Sequence, residues 1–148
     1  MDAILTILLF MAFLWFFTIF VLSRFFLPLL SFQPYPVPRK IPKEMRKAID
    51  KIKKESKTKE EFLKKSYKLL TKKYHGGRLN TIFKPRYHFI TGLDELWKMR
   101  GYIPCSNHNY LLRVFLEKSG LFSGNEIKIE YTFVNMNIHQ YLKVNAGG

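Results

Sequence analysis

An uncharged, apolar run at the N-terminus constrains this chain more than any other feature. From Ala3 to Ser23 the sequence contains no charged residue and consists mainly of Leu, Ile, Phe, Met and Trp. About 20 apolar residues in a helix, at 1.5 Å per residue, match a hydrocarbon core of roughly 30 Å. A cleaved signal peptide would carry a basic region before the run and a small-residue cleavage site after it. Since the run lacks both, it predicts a transmembrane signal anchor over residues 1–31.

The residues that flank this run set the expected orientation. Lys and Arg do not precede it, whereas Arg24, Arg39 and Lys40 follow it. The positive-inside rule then predicts a single-pass membrane protein whose remaining residues face the cytoplasm. Alternating prolines in the stretch Pro34–Pro38 remove backbone donors and favour extended conformations. We therefore expect residues 32–40 to form a Pro-rich linker between the anchor and a domain.

Residues 41–148 have the usual length of one domain with its own core. The chain carries 25 Lys and Arg against 11 Asp and Glu, a formal net charge of +14, and almost all of this charge follows residue 38. The positive electrostatic potential of such a domain favours anionic partners. Besides the lipid bilayer, the candidate partners are anionic lipid headgroups and a protein or peptide substrate. Nucleic acid is disfavoured as a partner because no recognisable nucleic-acid-binding motif accompanies the charge. The alternative to any binding role is that these charged residues only form a solvated helix surface.

A single cysteine, Cys105, limits the covalent chemistry of the domain. One cysteine cannot form an internal disulfide. The four histidines are scattered and do not give the spacing of a zinc site with it: His75, His88, His108 and His139. The sequence therefore predicts neither a metal site nor a cofactor.

Hydrophobic periodicity predicts helices first and a small sheet last. Helical spacing appears over residues 41–52, from Thr58 to the Gly76-Gly77 pair, over residues 93–99 and over residues 106–118. Thr58 and Glu61 have the spacing of a capping box and predict the start of the second of these helices. Apolar and polar residues then alternate from Glu126 to Phe133, which predicts a half-buried strand, and residues 138–144 predict a second, antiparallel strand. The expected fold class is α+β, with an N-terminal transmembrane helix followed by a small basic domain over residues 41–148.

Cys105 begins one of these helices, and this position suggests thiol chemistry. The free N–H groups and positive end of a helix N-terminus stabilise a thiolate and lower its pKa. His139 lies 34 residues downstream on the last predicted strand, where a rigid backbone can hold a general base. Taken singly, such residues are more often packing or surface groups. His108, one helical turn after Cys105, either tunes the thiol or faces solvent.

The order of these residues resembles the core of the transglutaminase-like superfamily, within the broader papain-like group. Residues 105–113 resemble its nucleophile helix, and residues 138–144 resemble the strand that carries its base, with Tyr141 as the aromatic residue two places later. The resemblance covers residues 93–144. It implies that Cys105 is the nucleophile, that His139 is the general base, and that the reaction passes through a thioester without a cofactor. The family also places an acidic residue after the histidine, and residues 140–148 contain no Asp or Glu.

Two classes of function follow from this pattern. The first is a membrane-anchored, thiol-dependent acyltransferase or amide hydrolase of the transglutaminase or cysteine-peptidase type. The alternative is a non-catalytic, membrane-tethered binding module, or a subunit of a membrane complex, that uses its basic surface.

Overall fold

Helices come first along the chain and a β-hairpin follows them. The computed structural model describes residues 3–21, 35–77, 80, 83–134 and 137–147. Within these ranges the α-helices are α1 (Ala3–Val21), α2 (Lys43–Lys54), α3 (Lys59–Lys73), α4 (Leu93–Lys98) and α5 (Cys105–Ser119). Two short strands, β1 (Tyr74–His75) and β2 (Gly101–Tyr102), precede the hairpin of β3 (Ile127–Val134) and β4 (Asn137–Val144), and 3-10 turns occupy Pro85–Phe89 and Gly124–Glu126. The predicted α+β class is confirmed, and the antiparallel hairpin follows the helices as predicted, whereas β1 and β2 pair ahead of α5.

The prediction of a transmembrane helix within residues 1–31 is wrong. Within the described ranges, no helix combines the length and the apolar character needed to cross a bilayer. The described part of the apolar run, Ala3–Val21, is helix α1. The predicted single-pass membrane localisation is wrong for the same reason, and the cytoplasmic orientation depended on it. The rest of the predicted anchor, residues 22–31, lies outside the described residues.

The start and end of α3 have different local causes. At its start, Thr58 Oγ1 accepts a hydrogen bond from the Glu61 N–H at 3.1 Å, as the sequence predicts for a helix cap. The Glu61 carboxylate accepts from the N–H of Lys57, one residue before the cap. At its end, α3 stops at Lys73, before the glycine pair that the sequence suggested, because Tyr74 leaves the helical conformation.

The two-residue strands β1 and β2 were not predicted from the sequence. They pair in parallel, with Tyr74 opposite Gly101 and His75 opposite Tyr102. The Ile103 N–H extends the ladder by donating to the His75 carbonyl at 3.2 Å. Gly101 has φ +82°, a conformation that side chains disfavour. This pairing fixes the chain just before α5 and so positions the first turn of that helix.

Helix α5 lies at the centre of the domain and packs against α2, α3 and β4. Its residues Leu111, Val114, Phe115 and Leu116 have no exposed surface. The helix ends at Gly120, which takes a left-handed conformation with φ +71°. Basic side chains of α2 then satisfy its last carbonyls: Arg46 donates to Lys118 at 3.0 Å and Lys53 donates to Ser119 at 2.6 Å. Part of the positive charge of α2 therefore stabilises the C-terminus of α5.

Residues 35–42 form neither helix nor strand, and they pack against the domain. The ring of Tyr35 meets that of Tyr110 edge-on, with 5.7 Å between centroids, and Val37 contacts the core. The described part of the Pro-rich segment is therefore part of the domain's packing. Residues 32–34 of the predicted linker lie outside the described residues.

The hairpin of β3 and β4 is antiparallel, as predicted, with His139 opposite Thr132 and Gln140 opposite Tyr131. Side chains alternate across a strand. Gln140 is accordingly buried at 7% exposure, and Leu142 packs on the core, whereas His139 and Tyr141 are exposed. The two residues between the strands, 135 and 136, lie outside the described residues.

His88 is a buried titratable group in the 3-10 turn, and it leads to a prediction about stability. It is 4% exposed, and neither ring nitrogen has a hydrogen-bond partner among the described residues. Burial lowers the pKa of His88 to about 4, from 6.5. Below pH 6.5 the unfolded chain binds a proton that the folded chain does not. The free energy of unfolding should therefore fall as the pH drops from 6.5 towards 4, by up to about 1.4 kcal/mol per pH unit from this group.

Denaturant unfolding between pH 4 and pH 7.5 checks this expectation. His88→Leu should remove the His88 contribution, so the difference in stability between the variant and the wild type should grow as the pH falls. His75→Leu, at an exposed histidine, is the matched control and should keep the wild-type dependence. Parallel curves for wild type and His88→Leu would contradict the prediction.

Candidate functional site

A pocket of about 920 Å³ lies where α3, the first turn of α5 and strand β4 meet. This volume is within the range of small-molecule sites, roughly 300–1,000 Å³. Both residues of the predicted pair, Cys105 and His139, line it. The other polar groups around it come from several elements: Lys64, Tyr67, Thr71, Tyr74, His75, His108, Asn109, Gln140 and Tyr141.

The backbone of β4 lies directly beside the sulfur of Cys105. The Gln140 N–H donates a hydrogen bond to the thiol sulfur. This N–H belongs to the peptide bond that follows His139, so the backbone of the histidine is adjacent to Cys105. Two further N–H groups, those of Cys105 and Ser106 in the first turn of α5, also interact with the sulfur.

The electrostatics of Cys105 differ from the sequence-based expectation. Burial raises the pKa of the Cys105 thiol above its ordinary value. The three N–H groups oppose this rise, but burial is the larger cause. The predicted lowering of the pKa is therefore wrong, because burial of the sulfur outweighs the stabilising effect of the N–H groups at the start of the helix. At neutral pH the group is a thiol, which needs a proton acceptor before it can attack a carbonyl.

The three pocket histidines have different environments. His139 is exposed to solvent. His108, three residues after Cys105 on α5, is partly buried, its ring lies edge-on to Tyr67 at 5.8 Å, and burial lowers its pKa. It is therefore a neutral imidazole at physiological pH and does not face bulk solvent. His75 comes from β1, a strand that only the tertiary structure reveals.

No three His, Cys, Asp or Glu side chains are arranged to hold a metal ion in the part of the chain that the structure describes. The thiol and imidazoles of this pocket thus do not form a metal site as arranged. In general, a thiol can act as a nucleophile and an imidazole as a proton acceptor.

Asn109 joins α5 to β4, the strand that carries His139. Its side-chain Nδ2 donates to the Gln140 backbone carbonyl at 2.6 Å and lies 3.4 Å from the Gln140 Oε1. Asn109 is four residues after Cys105, so the two lie on one face of α5. The helical spacing alone could have identified Asn109, whereas the roles of Gln140 and His75 depend on tertiary contacts.

We expect Asn109→Ala to reduce the free energy of unfolding by about 1–3 kcal/mol, because it leaves the Gln140 carbonyl without its donor. The substitution should also expose Cys105, since the tether between α5 and β4 is lost. Denaturant unfolding and the iodoacetamide alkylation rate of Cys105 measure the two effects. Asn125→Ala, at an exposed position, is the control and should change neither. Equal behaviour of the two variants would show that the tether is dispensable.

No protein-family model matches the sequence, and neither the curated proteins nor the solved structures contain a detectable match. The resemblance to the transglutaminase-like superfamily therefore stays a prediction. The chemistry of the pocket has to be argued from its own residues.

Proposed function

We propose that the protein is a thiol-dependent acyltransferase or amide hydrolase, with Cys105 as nucleophile and His139 as general base. The observation that carries the proposal is the contact between the Cys105 sulfur and the Gln140 N–H, next to His139, inside a pocket that both residues line. The proposed substrate is an amide or ester whose carbonyl group fits into a pocket of about 920 Å³.

The proposed reaction begins with a neutral thiol. The Cys105 sulfur attacks the substrate carbonyl carbon while its proton passes to the His139 imidazole, and a C–S bond forms. The tetrahedral intermediate collapses, the carbonyl–nitrogen bond breaks, and the imidazolium returns the proton to the leaving amine. Water or a second amine then attacks the thioester carbonyl while His139 accepts its proton, and a new C–O or C–N bond forms. The C–S bond breaks, and the imidazolium returns this proton to the sulfur, which restores the thiol. No cofactor takes part.

The exposure of His139 and the burial of Cys105 suit these roles. A base in contact with solvent keeps access to water and to an acceptor amine. A partly buried thiol is protected from adventitious oxidants, which react with exposed thiolates. His108 is the competing base, because it lines the same pocket one turn from Cys105 and is neutral.

The pH dependence of Cys105 alkylation tests the pair. Iodoacetamide reports on Cys105 alone, because the 148-residue chain contains one cysteine. We expect His139→Ala to raise the apparent pKa of the thiol by about one unit, which slows alkylation at pH 7 about tenfold. The matched control is His108→Ala, which should leave the profile close to that of the wild type.

Each other outcome has a defined meaning. A shift caused only by His108→Ala would assign the base to His108. Identical pH profiles of alkylation in the wild type, His139→Ala and His108→Ala would rule out a Cys–His pair and would mean that Cys105 is a packing residue.

The second candidate is a non-catalytic binding module that uses its basic surface for an anionic partner. The raised pKa of Cys105 favours it, because a thiol without an acceptor is inert at neutral pH. An unreactive Cys105 that is indifferent to both histidines would favour this candidate.

A further inference from the structure

A second pocket lies among α2, α3 and α4 and shares no lining residue with the Cys105 pocket. Its volume is about 420 Å³. One side is apolar and comes from Ala48, Leu69 and the indole of Trp97, whereas the rest is charged: Glu44, Lys72, Lys73, Lys98 and Arg100. The pocket therefore combines an apolar wall with a polar, mostly cationic surround.

The charges around this pocket are not balanced. Four cationic side chains face one carboxylate, that of Glu44. The ion pairs among the described residues lie elsewhere, and none involves these four cations. Clustered cations in a concave site attract and concentrate anions.

Lys73 is the cation that the pocket holds most closely. Its Nζ lies 3.5 Å from the centroid of the Trp97 ring and 5.1 Å from that of Tyr74, and it donates a hydrogen bond to the Trp97 carbonyl. Partial burial, followed by the charge of Arg100, lowers the pKa of Lys73 to about 8, and Glu44 opposes this only in part. An ammonium group that has lost water and faces another cation is stabilised by an anion that supplies the missing contacts.

We infer that this pocket binds the phosphate group of a small phosphate monoester. Arg100 can contact two phosphate oxygens with its planar guanidinium, and Lys73 supplies a point charge with N–H groups beyond the one given to Trp97. A phosphate monoester carries a charge of about −1.5 to −2 at pH 7. It therefore neutralises more of the pocket's net positive charge than the single charge of a carboxylate does. Ala48 and Leu69 provide contact for the organic group. The inference does not depend on catalysis at Cys105.

Phenyl phosphate is the probe, titrated calorimetrically into the full-length protein at pH 8. We expect saturable binding that Arg100→Gln weakens about tenfold or more, because a charge-assisted contact is lost. Arg86→Gln makes the same chemical change at an exposed arginine outside the pocket and should leave the affinity unchanged. Binding should also take up a fraction of a proton, because a bound dianion raises the pKa of Lys73. Lys73→Met should remove this uptake, which is measured by comparing two buffers of different ionisation enthalpy.

A second experiment distinguishes a soluble phosphate ester from a lipid headgroup as the ligand. Vesicles that contain phosphatidic acid are compared with neutral phosphatidylcholine vesicles, for wild type and for Arg100→Gln. Binding of phenyl phosphate that depends on Arg100 supports a soluble ligand, and binding only of phosphatidic acid vesicles, again dependent on Arg100, supports a headgroup. Failure to saturate in both experiments, or equal weakening by Arg86→Gln and Arg100→Gln, would overturn the inference.

Discussion

Cys105→Ala should abolish the turnover of p-nitrophenyl acetate, and His139→Ala should lower it by about 10²–10⁴-fold. The first change removes the sulfur that forms the acyl bond, so no thioester arises. The second removes the group that accepts the thiol proton, and positioned proton transfer typically contributes that factor. The measurement is p-nitrophenolate release by the full-length protein at pH 7.5, with excess ester.

An activated ester can also acylate an amine, and Lys73 requires a control. Its pKa of about 8 leaves part of the amine unprotonated at pH 7.5. Acyl groups on sulfur are released by hydroxylamine, whereas an amide on Lys73 is stable to it. The expected result is a hydroxylamine-labile label that Cys105→Ala removes and Lys73→Met leaves in place. Turnover that survives in Cys105→Ala would refute the proposed function.

Phe115→Ala should reduce the free energy of unfolding by about 3–5 kcal/mol. Phe115 is fully buried in α5, and its ring centroid lies 5.7 Å from that of Trp97. The substitution removes a large apolar side chain and leaves a cavity beneath the helix that carries Cys105. Urea denaturation followed by circular dichroism measures the loss.

Phe89→Ala provides the matched control, because Phe89 is 57% exposed. The same chemical change there should alter stability by no more than about 0.5 kcal/mol. Similar losses in the two variants would mean that α5 is not the centre of the core. The Trp97 fluorescence of Phe115→Ala should also change, since the indole loses its ring neighbour.

Sequence patterns were sufficient to predict a helix or strand where the residues of that element alone determine its structure. The apolar stripe of α2, the Thr58 cap of α3 and the alternation along β3 predicted these elements within a few residues. Each depends on helical or strand periodicity, or on a cap next to its helix, and such signals need no distant partner. The parallel pairing of β1 with β2 joins residues far apart in the chain and left no local signal.

The apolar N-terminus shows the limit of hydropathy alone. Composition predicted a membrane-spanning helix within residues 1–31. Among the described residues, no helix is both long enough and apolar enough to cross a bilayer. The predicted anchor and localisation are therefore wrong, because an apolar composition does not by itself establish a spanning helix.

The sequence by itself determined that this protein has one thiol, an excess of positive charge, and helices followed by a hairpin. Composition and short-range periodicity carry that information directly. The tertiary structure decided the surroundings of Cys105, because the N–H of Gln140 reaches the sulfur only when β4 packs on α5. It also decided the sign of the Cys105 pKa shift. Burial depends on every neighbouring element, whereas the effect of a helix N-terminus can be deduced from one element alone.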